Sequence, residues 1–243
     1  MSVGAAIALA VGGTLLMAAG LTWMALRFNR EYNEHEKAAL ARLRQELPKR
    51  GWTFAPRDDS IVELYNWWTE ERTWRNPLEP FVKPPRAKAA RDVITGSHRG
   101  RPFVAAVLDT HYQGEHVWAR CIWIRTPAVR PALGVSKVPA LESGINAGPG
   151  MGDLRFGNPE FDDKFEVRTG SDAFAAAVLN PAVIRFLLAE RCRLRGLRFF
   201  GDQFDVSDQY TFDHRDPAEL IPALDLRCDI LDRIPSAVWA QGA

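Results

Sequence analysis

Residues 161–188, FDDKFEVRTGSDAFAAAVLNPAVIRFLL, contain a dense series of local structural signals. In FEVRT, residues 165–169, apolar or β-branched side chains alternate with charged ones, and this alternation predicts a half-exposed β-strand. Gly170 follows at once and has the conformational freedom that a tight turn requires. We therefore predict that a short strand precedes the apolar run in the second half of this stretch.

That apolar run divides into two predicted helices. Ser171 or Asp172 has the short polar side chain of an N-cap residue and predicts the start of the first helix. Asn180 followed by Pro181 is a second N-cap with proline at the first helical position. The chain is therefore expected to bend there and begin a new helix that runs to about Arg193, which gives a helix–turn–helix pair.

Several strands are predicted on the N-terminal side of this pair. Residues 90–112 show the pattern of a β-hairpin with its turn at 98–101, where Gly100 can supply a positive φ. A third strand is predicted over 117–125. Residues 126–160 are rich in proline and glycine, and we expect a loop there with at most one short strand near 133–138.

The C-terminal part is predicted to contain one more hairpin and a helix. Residues 196–208, GLRFFGDQFDVSD, predict a hairpin that turns at Gly201 and Asp202. Asp216 followed by Pro217 predicts an N-cap and a first-turn proline. The order of elements predicts an α+β fold with a mainly antiparallel sheet, the helix–turn–helix pair and a C-terminal helix.

The N-terminal segment Val3–Leu26 contains no charged side chain. Twenty-four helical residues span roughly 36 Å, enough to cross a hydrocarbon core of about 30 Å. Trp23 occupies the position of an interfacial aromatic residue. A cleaved signal peptide would have a basic start and a shorter apolar core, so the sequence predicts an uncleaved N-terminal transmembrane helix.

The distribution of charge predicts the orientation of this anchor. Lysine and arginine follow the apolar run and none precedes it, which predicts an N-terminus outside the cell membrane and a cytoplasmic C-terminal domain. Gly4, Ala8 and Gly12 form a stripe of small residues that would let two anchors self-associate. The alternative is a helix that is simply rich in glycine and alanine.

The sequence divides into four predicted segments. They are a transmembrane anchor (1–26), a juxtamembrane helix (27–50), a Trp-rich helix with a Pro-rich linker (51–91) and a soluble α+β domain (92–243). Residues 27–50 hold seven Lys/Arg and four Asp/Glu, an excess of basic residues that favours the surface of an anionic lipid bilayer.

Composition excludes some partners and compartments. The formal net charge is only +1, which argues against a nucleic-acid partner. Cys121, Cys192 and Cys228 are odd in number and widely spaced, so they predict neither a disulfide framework nor a paired-cysteine metal site. Free cysteines agree with the reducing cytoplasm that the charge distribution predicts.

The strongest candidate for a metal site is DTHYQGEH, residues 109–116. Asp109, His111, Glu115 and His116 offer two imidazoles and two carboxylates within eight residues, ligand types that bind divalent metals. The same residues surround a predicted hairpin tip, where polar side chains need no metal. We favour a solvated turn and predict no metal site and no cofactor, with Asp109, His111 and His116 as the candidates to be examined.

A second candidate is an anion-binding turn formed by His98, Arg99 and Arg101, for which the alternative is an ordinary polar turn. Asp162 and Asp163 are adjacent carboxylates, but neighbouring strand residues point to opposite faces, so we predict no catalytic dyad there. The sequence contains no G-x-S-x-G nucleophile elbow. We therefore predict no catalytic residue.

Four segments follow the N-terminal apolar run in this order: RGWTFAPRDDSIV (50–62), GSHRGRPFVAAV (96–107), the stretch 161–188 and LDLRCDILDRIPSAVW (224–239). Through these segments, most of residues 45–239 resemble a group of uncharacterised actinobacterial membrane-anchored proteins. The Phe-x-Val strand followed by the Leu-x-Pro helix break is also similar to a broader bacterial domain of unknown function. The resemblance implies no activity and no functional residues.

The sequence therefore predicts a single-pass membrane protein whose cytoplasmic domain binds a protein or ligand, or acts as a scaffold, without catalysis. One alternative is a membrane-tethered, metal-dependent hydrolase built around His98, Asp109, His111 and His116. Another is a structural subunit of a membrane complex that uses the small-residue stripe and the Trp-rich segment as contact surfaces.

Overall fold

The computed structural model describes residues 3–73, 86–112, 115–137, 154–189, 194–208 and 213–240. Side chains in part of 3–33, in 68–73 and at 112 lie outside this description. The helices are α1 (Val3–Arg50), α2 (Ser60–Thr73), α3 (Pro159–Lys164), α4 (Asp172–Val178), α5 (Pro181–Ala189), α6 (Pro217–Leu231) and α7 (Ala237–Ala240). The strands are β1 (Thr53–Arg57), β2 (Arg86–His98), β3 (Arg101–Tyr112), β4 (Glu115–Lys137), β5 (Phe165–Thr169) and β6 (Leu194–Asp208).

Within the described residues, the six strands form one sheet in the order β1-β2-β3-β4-β5, and β6 also pairs with β4. Every described pairing is antiparallel. The larger core lies between one face of this sheet and helices α1, α4, α5 and α6. The prediction of an α+β fold with a mainly antiparallel sheet is confirmed.

Strand β4 is longer than the sequence predicts. Its first half pairs with β3, and its second half lies between β5 and β6. The predicted loop is therefore wrong for residues 126–132, which continue the strand, whereas the short strand predicted near 133–138 is present as the end of β4, up to Lys137. Its two prolines, Pro127 and Pro131, lie where the register with β6 shifts between Arg125 and Leu133, and such irregular positions tolerate a residue without an N–H.

The hairpin predicted at Gly201 and Asp202 is also wrong, because β6 continues through these residues as one strand. Gly201 has φ of +57° and pairs with Arg130 at the register shift in β4. The positive φ therefore marks a bend that β4 and β6 share, where the sequence predicted a chain reversal.

The helix pair and its caps follow the prediction. The Ser171 hydroxyl accepts a hydrogen bond from the Phe174 N–H at the start of α4, and Asn180 Oδ1 accepts from the N–H groups of Ala182 and Val183 at the start of α5. The predicted continuation of α5 beyond residue 189 lies outside the described residues.

Two predictions in the neighbouring segment are wrong. Asp162 and Asp163 belong to α3, which begins after the N-cap Asn158, although no helix was predicted there. Glu166 in β5 is buried, so this strand is not half-exposed as its alternating pattern indicates. The first three residues of β5 are buried and Arg168 is exposed, with its Nε 2.6 Å from Glu166 Oε1, and a local pattern does not reveal this distribution.

Helix α1 is attached to the fold through its C-terminal third. Leu40, Leu43 and Leu47, which recur at helical spacing along this part, pack on the core, and Leu43 is only 1% exposed. Arg42 Nη2 lies 2.6 Å from Asp216 Oδ2, and Arg215 Nη1 lies 2.5 Å from Glu36 Oε1. The start of α6 therefore holds α1 by two ion pairs as well as by apolar packing.

The transmembrane helix predicted at Val3–Leu26 is not supported by the structure: in the part of the chain whose side chains are described, no single helix has the length and apolar composition of a membrane span. Helices α4 and α5 reach that composition only together, and they are bent by 64°. Their buried side chains belong to the core.

Helix α6 is joined to the middle of the sheet by the buried guanidinium of Arg227, which is 2% exposed. All three of its nitrogens donate hydrogen bonds. The acceptors are the carbonyl groups of Ile122, Val206 and Ala223 and the carboxylates of Asp205 and Asp208, at 2.7–3.4 Å. A charge in the interior is stable only with such partners, so this position fixes the helix against β4 and β6.

Replacing Arg227 with methionine is expected to lower the free energy of unfolding by about 3–5 kcal/mol, because two carboxylates would lose their buried cation. Urea unfolding of the full chain in detergent would measure the change. Arg185→Met is the matched control, since Arg185 is exposed and its Nε donates within its own helix to Pro181. Equal losses in the two variants would contradict this role of Arg227.

A buried histidine supports an irregular point in β2. Asp92 has φ of +51° where the register between β2 and β3 shifts. His214 is fully buried, and its Nε2 lies 2.7 Å from the Asp92 carbonyl oxygen. Because a carbonyl only accepts, Nε2–H is the donor. Burial lowers the pKa of His214 although the bond to Asp92 opposes this, so the folded protein favours the neutral ring.

The free energy of unfolding is therefore expected to fall by about 1 kcal/mol between pH 7.5 and 5.5. The unfolded chain takes up a proton on His214 near the ordinary pKa of about 6.5, while the folded protein does so only at lower pH. His214→Asn should remove this part of the pH dependence, and His35→Asn, at an exposed position on α1, should preserve it. Urea unfolding at the two pH values would show the difference, and an unchanged slope in His214→Asn would contradict it.

Candidate functional site

The three metal-ligand candidates lie on one face of the sheet, at the end where β3 ends and β4 begins. The strand register pairs His111 with His116 and Asp109 with Trp118. Asp109 Oδ1 lies 2.5 Å from His116 Nε2 and 3.9 Å from His111 Nδ1. The structure therefore brings the three candidates together, and Glu115 lies beside them in an exposed position.

Their surroundings are those of a partly exposed cross-strand polar cluster. Within the described residues, no group of three or more His, Cys, Asp or Glu side chains is arranged to hold a metal ion. Both imidazoles are partly exposed, and their rings are 5.4 Å apart in an edge-to-face arrangement. Arg91 lies over the ring of Trp118 at 4.7 Å, with Nη2 3.9 Å from Asp109 Oδ2. This arrangement combines charge pairing with cation–π contact.

The candidate anion-binding turn lies at the opposite end of β2 and β3. Arg99 and Gly100 both have positive φ, which gives a tight two-residue turn between the strands. Carboxylates of α6 and of the residue that follows it face the turn. The contacts are His98 Nε2 to Asp225 Oδ1 at 2.8 Å, Arg99 Nη1 to Asp229 Oδ1 at 2.7 Å, Arg101 Nη2 to Asp232 Oδ1 at 2.6 Å and Arg99 Nη2 to Asp232 Oδ2.

These contacts determine whether the turn can bind an anion. An incoming anion would have to compete with three carboxylates for Arg99 and Arg101. The contacts join the β2–β3 turn to the C-terminal end of α6 and hold it in place. The geometry therefore gives the turn a structural role in the folded protein.

The other potentially reactive side chains are the cysteine thiols and the adjacent carboxylates of Asp162 and Asp163. Burial raises the pKa of the Cys121 and Cys228 thiols, which disfavours the nucleophilic thiolate form. Cys192 lies outside the described residues. Asp162 accepts a hydrogen bond from the Phe156 N–H, while Asp163 is exposed, so the two carboxylates do not share a site.

A groove of about 490 Å³ opens beside the β2–β3 turn, and sequence reasoning missed it. It is formed by the C-terminal end of α6, the following segment, α7 and the bend in β4. Its lining is a mixture of apolar, aromatic and charged side chains. They are Arg101, Pro127, Leu231, Asp232, Arg233, Ile234, Pro235, Ser236 and Trp239.

The walls of this groove are held by contacts with the core. The Trp239 carbonyl accepts a hydrogen bond from Nη2 of the buried Arg130 at 2.5 Å, and its indole lies 6.2 Å from the ring of Phe199. The Arg233 guanidinium lies 4.0 Å from the ring centre of Phe186. The groove is therefore preformed, and its volume falls within the usual range for binding pockets, about 300–1,000 Å³.

Comparisons with known proteins give little further information. No protein-family model matches the chain, and no curated protein matches it. Among solved structures, the chain is similar to the crystal structure of the mycobacterial trehalose monomycolate transport factor A, TtfA. The identity is 12%, the match covers 81% of this chain and 95% of that chain, and the TM-score is 0.46. This neighbour is actinobacterial, like the group that the sequence resembles, but at this level it assigns no function and no specific group.

Proposed function

We propose that this chain is a single-pass membrane protein whose cytoplasmic α+β domain binds a protein partner without catalysis. Residues 3–26 would cross the membrane, and the groove beside Trp239 would receive the partner. The observation that carries the proposal is the continuity of α1. It is one helix of 48 residues, and among its described side chains those that pack on the core lie in the C-terminal third.

The exposure of apolar side chains along α1 supports a membrane environment for its N-terminal half. Met17, Leu21 and Leu26 are 64–69% exposed, whereas Ala39 and Leu43 further along are buried. A large apolar surface that the fold leaves uncovered is typical of a region that contacts lipid or another protein. The uncharged sequence of residues 3–26 favours lipid, since its length matches a bilayer core.

The basic residues support the proposed orientation. Arg27 and Arg30 follow the apolar segment directly, and no lysine or arginine precedes it. Basic residues near the end of a span remain on the cytoplasmic side. The domain that follows would therefore lie in the cytoplasm, where buried free thiols such as Cys121 and Cys228 are stable.

The same helix would set the distance between groove and membrane. From Leu26 to Arg50 it rises over 24 residues, or roughly 36 Å. The groove lies near the turn at Arg99 and Arg101, at the end of the domain where α1 finishes. A partner could therefore bind there without touching the bilayer.

The groove favours a protein partner over a catalytic substrate. Tryptophan, proline and arginine side chains at its surface are typical of protein interfaces, where aromatic and arginine residues contribute most of the binding energy. Of its charged residues, Arg101 and Asp232 are paired with each other, and Arg233 Nη1 donates a hydrogen bond to the Asp229 carbonyl. Asp109, His111 and His116, whose side chains are of the types used in acid–base catalysis, lie at the opposite end of the sheet from the groove.

Placing two arginines in the apolar segment, Leu15→Arg with Leu16→Arg, is expected to abolish membrane insertion, since two central charges cost roughly 5–7 kcal/mol. Carbonate extraction of cell membranes would show the full chain in the pellet and this variant in the supernatant. Ala41→Arg with Gln45→Arg is the matched control on the exposed face of the same helix.

The same preparations would test the orientation. A C-terminal alkaline phosphatase fusion, active only outside the cytoplasm, is expected to remain inactive. Extraction of the wild-type chain by carbonate would overturn the anchor, and a strong phosphatase signal would overturn the orientation alone.

A photoreactive residue at Ser236 is expected to capture a reproducible protein partner in cells, whereas the same residue at Asp163, exposed on α3, should not. Ser236→Trp would fill the groove and should abolish copurification of that partner. Because Ser236 is exposed, this substitution leaves the core intact. Identical capture from both positions, or copurification unchanged by Ser236→Trp, would contradict binding in the groove.

A further inference from the structure

Two large apolar side chains are exposed at the end of the sheet where β4 begins. Val117 is 43% and Trp118 47% exposed. Adjacent strand residues point to opposite faces, so one exposed apolar side chain lies on each face of the sheet there. We name residues 115–118, together with Arg91 beside Trp118, the hairpin edge. It is remote from the groove, which lies at the other end of β2 and β3.

Helix α1 and strand β2 run in the same direction, which relates the hairpin edge to the N-terminal half of α1. Arg215 Nη1 contacts both Glu36 in α1 and Asp92 in β2. Further along both elements, Trp52 Nε1, just after α1, donates to the Ser97 carbonyl at the end of β2. From these two contacts toward their N-termini, α1 and β2 therefore extend to the same side of the domain.

The strand register gives the height of the hairpin edge. Ala89 pairs with Asp109, which pairs with Trp118, so Trp118 lies about three residues, or roughly 10 Å, beyond Asp92. Leu26 lies ten residues, or roughly 15 Å, beyond Glu36 on α1. Trp118 therefore lies within about 5 Å of the level of Leu26, where the apolar segment of α1 ends.

The charges around the hairpin edge suit an anionic surface. Lys88 and Arg91 are exposed at this end of β2, and Arg91 lies over the ring of Trp118. Arg86 and Arg120 are exposed nearby and also have contacts within the protein. The Asp109 carboxylate lies 2.5 Å from His116 through Oδ1 and 3.9 Å from Arg91 through Oδ2, and Glu115 is an exposed carboxylate of the hairpin edge itself. Tryptophan among basic residues is characteristic of the headgroup layer of a membrane.

We propose that the hairpin edge contacts the headgroup layer of an anionic lipid bilayer. Trp118 and Val117 would enter the interface, and Lys88 and Arg91 would face lipid phosphates. This inference rests on the membrane tether proposed above and adds a second contact to it. Two contacts fix the tilt of the domain on the membrane, and they direct the groove away from the lipid.

Brominated lipids, which quench nearby tryptophans, test this contact. The full chain is reconstituted into vesicles of phosphatidylglycerol and phosphatidylcholine with brominated acyl chains. The chain has eight tryptophans. The contribution of one tryptophan is the difference in quenching between the wild type and the variant that lacks it. Trp118→Phe is expected to lose part of the quenching seen in the wild type, and the loss should be smaller in pure phosphatidylcholine or at high salt. Trp239→Phe, in the groove, is the control and should lose none.

Trp23→Phe separates this inference from the tether itself. If Trp23→Phe reduces quenching while Trp118→Phe matches the wild type, the chain is inserted but the hairpin edge does not touch lipid, and this inference is overturned. If the wild-type chain does not enter vesicles and no tryptophan is quenched, the tether fails and this inference fails with it. A Trp118 contribution independent of lipid charge and salt would overturn the assignment to anionic lipid.

Discussion

The buried guanidinium of Arg227 is the constraint on which the arrangement of the other elements depends. It carries a full positive charge into the core, so the protein must supply acceptors at fixed positions. These acceptors come from α6 itself and from the neighbouring strands β4 and β6. Moving α6 by a turn would leave the charge and the carboxylates of Asp205 and Asp208 without partners. Helix α6 therefore has one energetically acceptable position on the sheet.

Fixing α6 also fixes both ends of the domain. At its start, Arg215 and Asp216 hold α1 by ion pairs. At its other end, Asp229 and Asp232 hold the β2–β3 turn, and the residues that follow line the groove. One helix thus connects the segment proposed to enter the membrane with the surface proposed to bind a partner. A short, well-packed helix transmits position between these two surfaces with little internal freedom.

The sequence predicted those parts of the fold that depend on neighbours along the chain. The caps at Ser171 and Asn180 were predictable because each side chain bonds backbone groups two or three residues away. The shared bend in β4 and β6 was not predictable from sequence. Gly201 has the same local sequence signature in a bend as in a hairpin turn, and its pairing with Arg130 distinguishes the two. The groove could not be predicted for the same reason, because the residues that line it, at 101, 127 and 231–239, meet only in the folded chain.

The candidate sites show the same limit for charge. Sequence identified Arg99 and Arg101 as a basic turn, yet their partners, Asp229 and Asp232, lie about 130 residues away in the chain. Whether a basic side chain can bind a ligand depends on whether the folded chain already pairs it with a carboxylate. Composition does not indicate that pairing. By this criterion the two ends of β2 differ. Each arginine of the turn lies within 2.7 Å of a carboxylate at the end of α6, whereas Arg91 at the hairpin edge lies 3.9 Å from the Asp109 carboxylate and over the ring of the exposed Trp118, an arrangement suited to an anionic surface.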